Sequence, residues 1–288
     1  MILNYRALLV ASLLLATPLL HAKGPEDALA KQVDNLPYGD ARSAAMVKLS
    51  ADILALPPSV AKVNVADKLA FKSIDGDPGM PALQAVADTL SKALADTPLP
   101  AKKDVPPAPY FNLAKLVRYE HLQTTLADPL YVKAAAALAQ NDADIEKIDF
   151  TLKDLKGKKV TLSALRGKTV LINFWNTSCG ACNQEMIDLN LINQHLATHG
   201  LVILSIDAEQ APMSNLMLVN DFITKKEPPY TPIVLQDPDS KVTKMFHAEG
   251  AIPRTYVLGP DGKLVGVGLG MRTQHQFLVM IVASGVKQ

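Results

Sequence analysis

Apolar residues in the first half of the chain recur at helical spacing. Met46, Leu49, Ile53 and Leu56 form one stripe and Leu83, Val86, Leu90 and Leu94 another, the three-and-four spacing that places side chains on one helix face. Turn chemistry separates these helices at Pro57-Pro58, at Asp75-Gly76-Asp77-Pro78-Gly79, and across the proline-rich stretch from Pro98 to Pro109, which reads as a stiff connector. Two further helices are expected around Leu113 to Leu126 and Pro129 to Gln140. Residues 23–144 thus read as an Ala-rich, all-α N-terminal domain.

Near Asn141-Asp142-Ala143-Asp144 the pattern changes from helical spacing to strand and turn, and the domain boundary is placed there. Phe150-Thr151-Leu152 and Val160-Thr161-Leu162 flank Lys156-Gly157-Lys158 as a hairpin. Val170 to Trp175 is almost wholly apolar, as a strand buried on both faces should be. A helix from about Ala181 to Thr198, closed by Gly200, leads to a second buried strand, Leu201 to Ile206, which makes a parallel βαβ unit. Helices around Asn215 to Lys225 and Ser240 to His247, a strand at Pro232 to Leu235, a hairpin turning at Gly259 to Lys263 and a last helix from Gln274 to Ala283 complete the set. The expectation for residues 145–288 is an α/β sandwich, a central mixed sheet with flanking helices.

Composition narrows the function. The formal charge is +1, with 13 Lys/Arg against 15 Asp/Glu from Lys23 to Ile145 and 15 against 13 from Glu146 to Gln288, so no basic face for nucleic acid is implied. Residues 1–22 read as a secretory signal peptide: Arg6 precedes an apolar run from Ala7 to Ala16, extended by Leu19-Leu20, and Leu20-His21-Ala22 suits cleavage after Ala22. The run is shorter than the roughly 20 residues a membrane span needs, and no later segment has a spanning run. The mature chain is therefore expected to lack a transmembrane segment and to work in an oxidising space, periplasmic or otherwise extracytoplasmic.

The chain has two cysteines, in Cys179-Gly180-Ala181-Cys182, where the central strand gives way to a helix. A thiolate there is stabilised by free backbone N–H groups and by the positive end of the helix. Cys179 is the expected nucleophile, forming a mixed disulfide with a partner, and Cys182, one turn in, the residue that resolves it. A zinc site is disfavoured: His195 and His199 lie 13 and 17 residues beyond Cys182, and the nearer is about 20 Å along the helix axis. A purely structural disulfide is disfavoured because so short a loop removes little chain entropy. Glu185, three residues after Cys182, projects from the same side of the helix, where a carboxyl can exchange a proton with the dithiol; a solvated surface glutamate is the alternative.

Asn173-Phe174-Trp175 followed by Cys179-Gly180-Ala181-Cys182 and Glu185 resembles the TlpA/ResA-like branch of the thioredoxin superfamily, secreted thiol-disulfide oxidoreductases. Gly250-Ala251-Ile252-Pro253-Arg254-Thr255-Tyr256 resembles their cis-proline loop, and Gly259-Pro260-Asp261-Gly262 closes the next hairpin. The resemblance covers about Phe150 to the C-terminus and does not reach the helices. It departs at Asn176-Thr177-Ser178, where relatives often have a second aromatic, at Ala181, where proline is usual, and at Asn183-Gln184, where a basic residue is common.

The resemblance implies a thioredoxin-like fold, a cis Pro253 with the Ile252 backbone as a docking edge, and a buried acid at Glu185. It also implies Trp175 beside the dithiol and Arg254 as a contact that tunes substrate charge. Asn173 stands where cytoplasmic thioredoxins commonly carry a buried acid. No bound cofactor and no metal are expected. The implied partners are disulfide-bearing client proteins, apocytochromes among them, and an upstream thiol reductant. Two alternatives stand beside protein-disulfide reduction. One is a thiol peroxidase of the peroxiredoxin type, against which Asn176 occupies a position where that group uses threonine. The other makes the helical domain a binding module that recruits a client or a second copy of the chain.

Overall fold

The computed structural model describes residues 24–209, 214–249 and 252–286. The signal-peptide reading of residues 1–22 and the Gly250-Ala251 part of the proline loop lie outside them.

Six helices form the first half: α1 (Pro25–Asp34), α2 (Ala41–Leu54), α3 (Val60–Ser73), α4 (Met80–Asp96), α5 (Ala108–Tyr119) and α6 (Pro129–Ile145). The two stripes read from the sequence meet in one core with Val63, Leu69, Tyr110 and Leu113. Local chemistry sets the helix ends. Ser59 caps α3 by accepting from the Lys62 N–H, and Asp128 caps α6 by accepting from the Leu130 N–H. The buried Lys62 ammonium donates to the carbonyls of Leu54 and Leu56, 2.8 Å from each, and so satisfies the C-terminal end of α2.

Two expectations need correction here. The helix expected to reach Leu126 stops at Tyr119; His121 takes a positive φ of 54°, and the turn buries Leu122 in the helical core. The helix expected to end near Gln140 continues through the polar run Asn141 to Asp144 as far as Ile145. Asp142 is buried and accepts from Arg118 Nε and Tyr119 Oη, so this polar residue completes a buried network. Ile145 belongs to the hydrophobic cluster of the sheet.

The second half contains β1 (Thr151–Asp154), β2 (Lys159–Thr161), β3 (Thr169–Trp175), α7 (Gly180–Leu196), β4 (Leu201–Asp207), α8 (Ser214–Thr224), β5 (Ile233–Gln236), α9 (Lys241–Met245), β6 (Arg254–Leu258), β7 (Leu264–Leu269) and α10 (Gln274–Ala283). The strands form one mixed sheet in the order β2-β1-β5-β4-β3-β6-β7. β3, β4 and β5 run parallel, and β6 pairs antiparallel with β3. This is the thioredoxin-like sandwich expected from the motifs. Every residue of β3 is buried, so its apolar run is what a central strand covered on both faces requires. Alternation sends Leu171 to the side of α7 and α10, with Leu189, Ile192, Phe277 and Ile281, and sends Ile172 and Phe174 to the side of Phe246 and Tyr256.

The helices lie against the second of these faces. Ile74 packs against both the helical and the sheet clusters. Polar groups complete the seam: Asp75 accepts from the Met271 N–H, Glu146 accepts from the Leu264 N–H, and Arg272 forms a two-pronged ion pair with Glu120 at 2.5 and 3.1 Å. Gly270, at the end of β7, has φ 67°, and an added Cβ there would collide with Asp75 Oδ1. The Arg272 and Glu120 side chains are only 5% and 9% exposed, so removing one strands the other's charge. Glu120→Ala is expected to destabilise the chain by about 3–5 kcal/mol, measured by urea unfolding, and Glu120→Gln by less.

Candidate active site

The site begins where β3 runs out. Trp175 is the last buried residue of the strand, and Asn176 to Ser178 carry the chain to the mouth of α7. Glu209, beyond the end of β4, receives both the N–H and the hydroxyl of Thr177, which pins this short loop. Cys179 is the N-cap of α7, and its Sγ accepts the Cys182 N–H at 3.1 Å. The sulfur thus does what a serine or aspartate oxygen usually does at a helix start. Cys179 and Cys182 are joined in a disulfide with their Cα atoms 5.2 Å apart. Cys179 is half-buried and Cys182 is 1% exposed, so an incoming thiol or disulfide meets Cys179 first.

The wall behind the disulfide is apolar. Trp175, Cys182 and Met186 cluster with Val219 and Ile223 of α8, and Phe222, Tyr230 and Ile252 pack against them. The Trp175 ring stacks on Phe222 at 5.6 Å between centroids. The Ile252–Pro253 peptide is cis, and the Pro253 carbonyl accepts the Gly270 N–H. A second cis bond, Glu227–Pro228, had no signal beyond the proline itself. Arg254 follows the cis bond. It is paired with Phe174 in the β3–β6 ladder and projects with it onto the helical side of the sheet, whereas Cys182 lies on the α7 side; there Arg254 lines a cleft with Lys115 of α5.

Glu185 is fully buried, which excludes the surface alternative. One carboxyl oxygen accepts the Arg272 N–H at 2.6 Å and the other accepts the Asn173 amide at 3.1 Å. These bonds favour the carboxylate, but burial outweighs them and pushes the pKa up to about 8. Asn173 also donates to Thr255 Oγ1 at 3.0 Å. Cys182 and Glu185 share one face of α7, so the arrangement joins a dithiol at a helix mouth to a carboxyl that changes protonation near neutrality.

Several neighbours were not singled out from the sequence. Arg272 and Thr255 hold Glu185 and Asn173 in place, and Tyr230 and Ser205 share a 2.6 Å hydrogen bond beside the apolar wall. Asp207, at the end of β4, has its pKa pushed up to about 6 by burial. Thr255 stood inside the proline motif and was legible there; Arg272 pairs with Glu120 across 152 positions, which no local pattern signals. Among the described residues, no three His, Cys, Asp or Glu side chains gather as a metal site would require.

A model of the AhpC/TSA family matches residues 146–267. The thiol-disulfide oxidoreductase ResA of Bacillus thuringiensis (strain Al Hakam) is 30% identical over 131 residues, 46% of this chain and 72% of the relative. ResA of Bacillus subtilis (strain 168) is also 30% identical, over 136 residues and the same shares. Among solved structures, StoA from Bacillus subtilis matches with a TM-score of 0.40 at 18% identity, covering 46% of this chain and 96% of that one. None of these matches extends over more than about half of the chain. Identity at this level over most of the length of ResA places the sheet-bearing half of the chain by descent as well as by topology: the protein belongs to the ResA-like thiol-disulfide oxidoreductases of the thioredoxin superfamily.

Proposed function

We propose that the chain is an extracytoplasmic enzyme that reduces disulfides of partner proteins, with residues 145–288 as the redox domain and residues 23–144 as a helical domain that recruits a client or a second copy of the chain. In the reduced enzyme the Cys179 thiolate attacks a client disulfide, forming a mixed disulfide and releasing one client thiolate. The Cys182 thiolate then attacks Cys179 Sγ, releases the second client sulfur and leaves the Cys179–Cys182 disulfide. An upstream thiol reductant returns the two electrons. The observation that carries the reading is the hydrogen bond from the Cys182 N–H to Cys179 Sγ, because a donor already aimed at that sulfur stabilises its thiolate. The extracytoplasmic location rests on the signal-like residues 1–22.

Glu185 supplies the proton traffic in this scheme. As a neutral acid it protonates, and as a carboxylate it deprotonates, the Cys182 sulfur. The buried Asn173 amide oxygen has no donor, and once the amide is turned over it can accept the hydroxyl of a protonated Glu185. Asn173 can therefore serve both protonation states. The cis Ile252–Pro253 segment is assigned the docking of an extended client. Trp175 forms the apolar backing of the disulfide.

The AhpC/TSA match keeps a thiol peroxidase as the second reading, and one assay separates the two. Insulin reduction is expected to be lost in both Cys179→Ser and Cys182→Ser, with Cys182→Ser accumulating mixed disulfides with its client. Peroxide consumption that survives in Cys182→Ser would instead support the peroxidase.

The carboxyl makes a separate prediction. Glu185 holds its proton more tightly in the folded chain than at its ordinary value of 4.5, so its contribution to stability is complete below about pH 4.5 and is lost as pH rises through about 8. Urea unfolding across that window should show stability falling with pH in the wild type. The fall should flatten in Glu185→Gln, whose pH–rate profile for insulin reduction should also lose the inflection near 8. A variant matching the wild type in both would remove Glu185 from the mechanism.

A further inference from the structure

Two positive side chains meet in the seam between the helices and the sheet. Lys115, on α5, and Arg254, on β6, are half-buried and line the same cleft of about 250 Å³, together with Phe71 of α3, Ile74 just beyond it, and Ile252. A second cleft, of about 320 Å³, adjoins them on the other side. Among the described residues neither cation has a carboxylate at ion-pairing distance. The acids nearby are otherwise engaged: Asp67 takes the Asn112 amide at 2.8 Å, and Asp75 takes the Met271 N–H at 3.1 Å. Arg254 donates through Nη1 to the His247 carbonyl, but its Nε is buried with no acceptor.

Such an arrangement is costly without an anion. Burial lowers the Lys115 pKa, the Arg254 charge lowers it further, and only Asp67 opposes them. A buried donor without an acceptor adds its own desolvation cost. The apolar surroundings point to what the anion is attached to. Phe71 is 59% exposed at the rim, an aromatic face open to a partner. Ile252 lines the cleft and also packs against the cluster that contains Cys182 and Trp175, so one side chain joins the cleft to the wall behind the dithiol.

We infer that this cleft is the client groove of the enzyme, and that it selects protein segments carrying a carboxylate beside apolar residues. The carboxylate sits between Lys115 and Arg254, while apolar side chains rest against Phe71, Ile74 and Ile252. The helical half thereby forms one wall of the groove. The inference rests on the disulfide-exchange reading and gives it a substrate class, acidic segments of disulfide-bearing proteins.

The test compares two internally disulfide-bonded peptides that are identical except that glutamates flanking one cysteine are replaced by lysines. At low salt the wild type is expected to favour the glutamate peptide by roughly tenfold in kcat/KM, mainly through KM. Lys115→Glu is expected to abolish or reverse that ratio. The ratio within each variant is the readout, so a general loss of activity does not mimic the effect. If Lys115→Glu does not fold, Lys115→Met removes the charge, keeps the stem and is expected to reduce the ratio toward one. Equal rates on the two peptides in the wild type, or a ratio unchanged at position 115, would overturn the groove. Wild-type reduction of hydroxyethyl disulfide is read in parallel. Its absence would sink the oxidoreductase reading itself, whereas its presence without peptide discrimination would sink the groove alone.

Discussion

The guanidinium of Arg272 is taken out of water, and it finds a counter-charge across the seam in Glu120. That pair matters beyond its own energy because the Arg272 backbone N–H is also the donor that holds one oxygen of Glu185. The side chain of one residue is thus anchored in the helices while its main chain positions the carboxyl next to the dithiol. A shift of the helices against the sheet would be felt at Glu185 through this residue. The geometry of the redox centre is accordingly set by both halves of the chain, although both cysteines lie in one.

The dithiol and the carboxyl use opposite electrostatics within one helix. At the mouth of α7, a free N–H and the positive helix end favour a negative sulfur. Nearly two turns further in, burial disfavours a negative oxygen at Glu185 and overrides two hydrogen bonds.

Much of this was legible in the sequence because it follows from local rules. The apolar run of β3 had to be a strand covered on both faces. A glycine stop was expected at Gly200; α7 itself ends at Leu196, and Gly200, with a φ of 88°, closes the short 3-10 turn Ala197–His199 that follows it. The last helix falls where its boundaries were read, at Gln274 and Ala283. What escaped depends on contacts distant in the chain. Asp142 gives no sign in the sequence that α6 runs on through it, and its bonds to Arg118 and Tyr119 explain its burial. Glu120 ends a helix early because the chain must turn Leu122 into the core, and its own partner lies far downstream. The side on which Arg254 projects follows from its register with Phe174, and register between strands separated by some eighty residues is not written in either strand.

Position 270 carries a consequence of its own. There the end of β7 passes so close to Asp75 that an added Cβ would displace the carboxylate that accepts the Met271 N–H, and the backbone conformation is one that glycine adopts freely. A relative lacking the helical half would have no Asp75 to avoid, and its residue 270 would answer to the backbone angle alone. With the helices in place the position favours glycine on two separate counts, so grafting these helices onto a sheet whose last strand ends in a bulkier residue would cost the bond between Asp75 and the Met271 N–H.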